Sequence, residues 1–393
     1  MLTAMKELYL QAKLFLRVFY FDKSEGGVFM RYLFTSESVT EGHPDKVCDK
    51  IADKFVDEAL EQDKNSHMAV EATIKDNLVL VYGEARTDAK LDYSKIAKKV
   101  IKEIGYTEDF EVIEKVAQQS PEINTAVSGS DELGAGDQGI MFGYACDETE
   151  ELMPLPIMLA HKLAMKLTDV RRSDKKSPLR PDGKTEVTVE YEDGKPVRVD
   201  TIIVSSQHVK DITQEDLREY IIEKVINPVI PKELVDKDTK YWINTSGSFV
   251  IGGPFGDSGT TGRKIIVDTY GGMGRIGGGC FSSKDPSKVD RSAAYYSRFV
   301  AKNIVAHGYA SRCEIQVGYA IGVSKPVSLF IETFGTEKKP IKEIYKYVDD
   351  NFDFSVSNII NELNLLNTKY YPVAAYGHFG RTDIDLPWER IKD

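Results

Sequence analysis

Gly271-Gly272-Met273-Gly274-Arg275-Ile276-Gly277-Gly278-Gly279-Cys280-Phe281-Ser282-Ser283-Lys284-Asp285-Pro286-Ser287-Lys288-Val289-Asp290-Arg291 is the stretch on which the fold class turns. Its first half matches GxGxxG over Gly272–Gly277 and follows an apolar run at 264–269 that reads as a strand. A dinucleotide-binding unit needs its third glycine to lead straight into an apolar helix. Here two more glycines follow, then Cys-Phe-Ser-Ser-Lys, and the next helix is expected only from Asp285-Pro286. The doubly wound reading fails on that context. No GxxxxGK[ST] loop occurs either, which removes the P-loop class.

The second half gathers Lys284, Lys288 and Arg291 with Asp285 and Asp290 around a helix start. An aspartate cap followed by proline is ordinary helix-opening chemistry. Two lysines beside a positive helix end are not, because cations are disfavoured there. The combination reads as an anion site suited to a polyphosphate, with Asp290 placed to hold a metal against it. Upstream, Gly252-Gly253-Pro254-Phe255-Gly256-Asp257-Ser258-Gly259 runs into Arg263-Lys264, a glycine-rich approach that lets backbone come close to a ligand.

A second polar turn lies near the start of the chain. Ser36-Glu37-Ser38-Val39-Thr40-Glu41-Gly42 leads into His43-Pro44-Asp45-Lys46. Proline suits the first helical position, and Val47, Ile51, Phe55 and Ala59 give the helix an apolar face at four-residue spacing. The strand-to-helix turn presents His43 and Asp45 to a cation and a phosphate oxygen.

The rest alternates strands and helices. Strands are expected at 31–34, 68–74, 78–84, 138–144, 185–191, 198–205, 248–251, 314–322 and 328–334, with a hairpin turn at 192–195. Helices are expected at 92–104, 110–119, 155–171, 215–225, 341–351 and 356–363. Residues 120–136 read as a long mobile loop between domains, of a length usual for lids or disorder. No repeat appears in the residues themselves, so any internal symmetry lies in structure alone.

Composition narrows the class further. The chain has 393 residues, 41% hydrophobic and 29% charged, enough for two or three domains with cores of their own. A net charge of −11 argues against nucleic acid as a partner. No run of eighteen apolar residues occurs, so no membrane span is expected. Cys48, Cys146, Cys280 and Cys313 show no CxxC spacing, which favours a reducing, cytoplasmic setting over a disulfide or zinc framework. Residues 1–29, apolar over 9–21 but broken by Lys13 and Arg17, read as an extension ahead of a start at Met30, outside the fold.

Five segments together resemble the S-adenosylmethionine synthetase family: TSESVTEGHPDK, GAGDQG at 134–139, IGGPFGDSGTTGRKIIVDTYGG, GGGCFSSKDPSKVDRS and AAYGHFGR. The resemblance runs from Tyr32 to Trp388. It implies an α+β fold of three similar domains, each a mixed sheet with helices on one face, in a pseudo-threefold arrangement at 30–129, 130–251 and 252–393. It also implies synthesis of S-adenosylmethionine from methionine and ATP, then hydrolysis of the tripolyphosphate. By position, His43 would lie at the ribose–phosphate bridging oxygen, and Lys184, Lys264, Lys284, Lys288 and Arg263 would clamp the phosphates. Asp182, Ser248, Phe249, Asp257 and Cys280 would surround the nucleotide. Glu84, Gln119, Asp137, Asp257 and Lys288 would hold methionine. Asp45 and Asp290 would hold two Mg²⁺, and Glu71 one K⁺. Active sites would form between subunits of a homodimer or homotetramer. Against the family pattern, Ser248 replaces arginine, Ile276 histidine, Cys280 alanine and Ser283 glycine. The rival reading is a non-catalytic, ATP-binding relative of the same fold.

Overall fold

The computed structural model describes residues 20–22, 29–118 and 133–392. A short strand β1 (Tyr20–Asp22) pairs antiparallel with the start of β2 (Phe29–Val39), so part of the expected extension joins the fold. The chain continues through α1 (Pro44–Gln62), β3 (His67–Lys75), β4 (Leu78–Arg86), α2 (Tyr93–Ile104) and β5 (Glu111–Gln118). Next come β6 (Gly139–Cys146), α3 (Leu155–Ser173), β7 (Leu179–Glu192), β8 (Lys195–His208), α4 (Gln214–Ile221) with a π-helical turn (Ile222–Ile226), and β9 (Lys240–Ile243). The last part holds β10 (Gly259–Thr260), α5 (Ile265–Asp268), α6 (Val289–Ala306), β11 (Arg312–Tyr319), β12 (Ser328–Glu332), α7 (Ile341–Asn351) and α8 (Val356–Glu362).

Three sheets result, ordered β10-β3-β4-β5, β1-β2-β7-β8-β9 and β12-β11-β6. Each is built on a hairpin (β3–β4, β7–β8 or β11–β12) that follows a long helix (α1, α3 or α6). In the first two sheets a helix then returns the chain to a strand parallel to the second hairpin strand, β5 on β4 and β9 on β8. The strand that precedes each long helix joins another unit's sheet: β2 pairs with β7, β6 with β11, and β10 with β3. The leading strands are thus exchanged in a ring, a threefold pattern carried by connectivity rather than by sequence.

Amphipathic periodicity explains most elements. Val47, Ile51, Phe55 and Ala59 are fully buried, and α1 lays them into a core that runs on through α6 to Trp388. A second core lies between α3, α4 and the β7–β8 hairpin, from Leu159 to Ile243. The turn at 192–195 closes that hairpin with Asp193 and Gly194 at positive φ, as expected.

Four expectations are corrected. Residues 110–119 form strand β5, not a helix; Val112 and Val116 satisfy both periods, and the β-branched run with Ile113 fits the edge beside β4. Residues 264–269, read as a strand, wind into the helical turn α5 because Lys264 and Asp268 there reach Asp45 and Lys46. Residues 248–251 carry no strand. The helix expected from Asp285 begins at Val289, because the Asp285 carboxylate is held instead by the Met68 amide at 2.7 Å.

Ser283, where the family pattern has glycine, is buried at φ 81°. Left-handed backbone costs a residue with a Cβ about 1–2 kcal/mol, partly offset by the unfolded-state entropy that glycine would bring. Ser283→Gly is expected to raise stability by about 1 kcal/mol or less, read as a higher urea midpoint at unchanged slope. A lower midpoint would mean that the serine hydroxyl contributes more than the strain removes.

Candidate active site

The turn after β2 delivers His43 as the N-cap of α1, with Pro44 in the first helical position. The His43 Nδ1 accepts the Asp45 amide at 3.2 Å, so the proton of the neutral ring sits on Nε2. Burial, reinforced by the Lys264 charge, drives the imidazole pKa down to about 3. Neutrality at physiological pH follows.

Asp45 lies under this ring. Its Oδ1 accepts the Thr260 amide at 3.0 Å, its Oδ2 accepts Lys264 Nζ at 2.6 Å, and the Arg263 guanidinium stands 3.7 Å away. Burial works against the charged carboxyl, but Lys264 and the Thr260 amide outweigh it and hold the pKa below the usual range.

Beside them opens a cavity of about 400 Å³ walled by His43, Asp182, Lys184, Phe249, Ile251 and Asp257. Asp182 is buried and its pKa is pushed up to about 6 by desolvation, against the pull of the Gly253 amide (2.7 Å) and Lys184. Lys184 and Asp257 are exposed at the rim. Ser248 is exposed beside Phe249.

The remaining described residues gather on the β3–β4 side. Lys284 bridges Ala69 through its backbone, and Ala69 faces Glu84 across the ladder. The Lys284 ammonium pairs with Asp290 at 2.5 Å, and Lys288 pairs with Asp285. A Cβ on Gly279 would lie 2.0 Å from Asp290 Oδ1, so glycine is required for that carboxylate to sit where it does. Glu71 accepts the Tyr82 hydroxyl at 3.2 Å. Gly136 donates to the Ser287 carbonyl at 3.0 Å, which brings the exposed Asp137 to the same group. Cys280 packs against Gly262, and burial pushes its thiol up to about 11, away from ready ionisation. Gln119, with residues 120–132 of the expected lid, lies outside the described residues.

Among the described residues no hydrogen bond or ion pair joins the His43 group directly to the Lys284 group. Helix α1 joins them. Asp45, Asp49, Asp53 and Asp57 recur every four residues and form one buried stripe. Asp49 accepts the Gly262 amide at 2.8 Å and Lys46 at 2.9 Å. Asp53 accepts the Ser283 amide at 3.2 Å and the Ser282 hydroxyl at 3.1 Å, and it pairs with Arg291. Asp57 accepts the Tyr370 and Tyr371 amides at 2.7 and 3.0 Å. The loop before Lys264 hangs on Asp49, and the loop before Lys284 hangs on Asp53. Sequence reasoning passed over Asp49, Asp53 and Asp57, although their four-residue spacing was there to be seen.

No three His, Cys, Asp or Glu side chains converge on a metal-sized cage among the described residues. Mg²⁺ usually takes one or two carboxylates and completes its shell with water and substrate phosphate. The single carboxylates of Asp45 and Asp290, each beside a lysine, fit that donor set. No helix among the described residues is long and apolar enough to cross a membrane.

Three family models match in order: "S-adenosylmethionine synthetase, N-terminal domain" over 31–127, "central domain" over 132–249 and "C-terminal domain" over 251–390. With three domains matched across nearly all of the chain from 31 onward, it belongs to the S-adenosylmethionine synthetase family, the methionine adenosyltransferases that make S-adenosylmethionine from methionine and ATP.

Proposed function

We propose that each active site takes the His43 group from one chain and the Lys284 group from a second copy. The observation that carries this is the division just described: two charged groups, tied to one helix, with no hydrogen bond or ion pair between them among the described residues. The first group and its cavity suit ATP, with Asp182 and Phe249 at the adenosine and Lys184, Lys264 and Arg263 at the phosphates. The second suits the far end of the polyphosphate through Lys284 and Lys288, and methionine through Glu84 and Asp137, to which the family resemblance adds Gln119.

The chemistry accounts for these residue types. The methionine thioether sulfur attacks ribose C5′, the C5′–O bond breaks, and its electron pair leaves on tripolyphosphate. A thioether has no proton to lose, so this step needs no base. Neutral His43 offers its Nε2–H to the departing oxygen as a fixed donor, and the lysines stabilise the charge that gathers there. Asp137 and Asp257 stand for the new sulfonium. Hydrolysis of tripolyphosphate to phosphate and pyrophosphate follows on the same clamp. Two Mg²⁺ at Asp45 and Asp290, and K⁺ at Glu71, would supply further neutralisation of the polyphosphate when bound.

Mass spectrometry of products from ATP, methionine, Mg²⁺ and K⁺ tests the reaction. S-adenosylmethionine with phosphate and pyrophosphate is expected, reduced about ten- to a hundredfold in Lys284→Ala by loss of one charge-assisted bond. Bound ATP without product would favour the non-catalytic relative.

Complementation tests the shared site. Co-expressed His43→Asn and Lys284→Ala chains should recover about a quarter of wild-type activity, since half of randomly paired dimers carry one intact site of two. A site confined to one chain gives no recovery.

The state of His43 is read by ¹⁵N-histidine NMR, assigned by loss of its signals in His43→Asn. Its nitrogens should keep the shifts of the neutral Nε2–H form from pH 8 down to 5. A midpoint near 6.5 would sink the fixed-donor role.

A further inference from the structure

We infer that Gln207 and His208, at the end of β8, are positioning residues that set the adenosine-side wall of the cavity; this rests on the nucleotide reading of that cavity. Neither side chain lines the cavity itself. Both face a separate hollow of about 670 Å³ on the other side of the 250–252 segment. They therefore act through the wall and touch no substrate.

The hydrogen bonds fix the roles of each atom. His208 is 2% exposed, and its Nδ1 lies 2.7 Å from the Val209 carbonyl, which can only accept. The ring proton is thus on Nδ1, and the Nε2 lone pair accepts the Phe249 amide at 2.9 Å. The His208 amide returns a bond to the Phe249 carbonyl at 3.0 Å, so Phe249 is held on both sides. Gln207 spans the gap to the facing strand. Its Oε1 accepts the Asp182 amide at 3.3 Å, and its Nε2 donates to the Val250 carbonyl at 3.0 Å.

Asp182 closes the circuit by accepting the Gly253 amide at 2.7 Å. A Cβ on Gly252 would meet Gln207 Cδ and Phe249 Cε2, each at 2.8 Å, so amide, backbone and ring are in direct contact there. Residues 249–253 have no strand of their own to hold them. Two adjacent side chains of β8 replace that ladder, and the wall residues Phe249 and Ile251 take their place from it.

The test compares full-length His208→Ala, His208→Gln and His208→Asn. Three readouts are needed: KM for ATP, KM for methionine, and hydrolysis of tripolyphosphate supplied alone. The alanine variant should raise KM for ATP about tenfold, the effect of leaving one part-buried amide unpaired. KM for methionine and tripolyphosphate hydrolysis should stay unchanged, because neither uses the adenosine wall. Glutamine should restore KM for ATP, since its Oε1 reaches the place of Nε2, whereas the asparagine Oδ1 reaches only that of Nδ1. Unchanged KM for ATP in His208→Ala, equal losses in all three readouts, or rescue by asparagine as well as glutamine would overturn the assignment. If alanine prevents folding, the glutamine–asparagine comparison decides alone. A wild-type protein that binds ATP without forming product would overturn the functional reading instead, and the ATP Kd of the same variants would still decide the clamp.

Discussion

Four buried carboxylates on one helix face organise this protein. Burying an ionised aspartate without partners is prohibitive, and removing one partner of a buried pair typically costs about 3–5 kcal/mol. Helix α1 buries Asp45, Asp49, Asp53 and Asp57, so the rest of the chain has to supply donors at four successive heights along one face. The donors are the backbone amides of residues 260, 262, 283, 370 and 371, the Ser282 hydroxyl, Lys264 and Arg291, joined by Lys46 from α1 itself. The desolvation demand of one helix thereby fixes the loops that carry Lys264 and Lys284. The apolar stripe two residues out of phase faces the core, and α1 is buried on both sides as a result.

The exchange of leading strands adds a second constraint of the same kind. Each long helix is preceded by a strand that completes another unit's sheet. A unit cut away at its chain boundaries would lose one strand and leave another with an open edge. Folding is therefore cooperative across the three units, and the site loops inherit that rigidity. Glycine is required where chain meets chain at the site, as where Gly279 gives way to Asp290.

Much of this was legible in the sequence, for physical reasons that can be named. His43-Pro44-Asp45 announced a helix start, and the structure has one there. The failure of the Gly272–Gly277 fingerprint was visible in its missing helix, and that segment is indeed turns and irregular chain. Strand β5 was misread because Val112 and Val116 satisfy both periods, and only its parallel partner β4 decides. The run at 264–269 has strand propensity, yet two ion pairs wind it into a turn. Asp49, Asp53 and Asp57 went unread because their amide partners lie 213, 230 and 313–314 residues away. Gln207 and His208 are ordinary strand-end residues until the 249–253 segment is seen beside them. What the sequence hid was long-range hydrogen bonding, which leaves no local pattern.

The pairing of three of the four proposed phosphate-gripping lysines with a carboxylate follows from the same electrostatics, while Lys184 stands exposed at the rim. Lys264 rests on Asp45, Lys284 on Asp290 and Lys288 on Asp285. A cluster of bare lysines would repel itself and weaken the fold, and its local positive field would also collect other anions. Paired, the cluster is close to neutral at rest. On the proposed reading, a polyphosphate that takes the lysines would release carboxylates, and Asp45 and Asp290 would then suit Mg²⁺ beside phosphate oxygens. Anion and cation would thus favour each other's binding, because either alone would leave half of each pair unmatched. Lys264 is 17% and Lys284 18% exposed at the side chain, so both can be reached. Lys46, Asp49 and Asp53 are sealed, so the scaffold that aims the two lysines keeps its own pairs when theirs are exchanged.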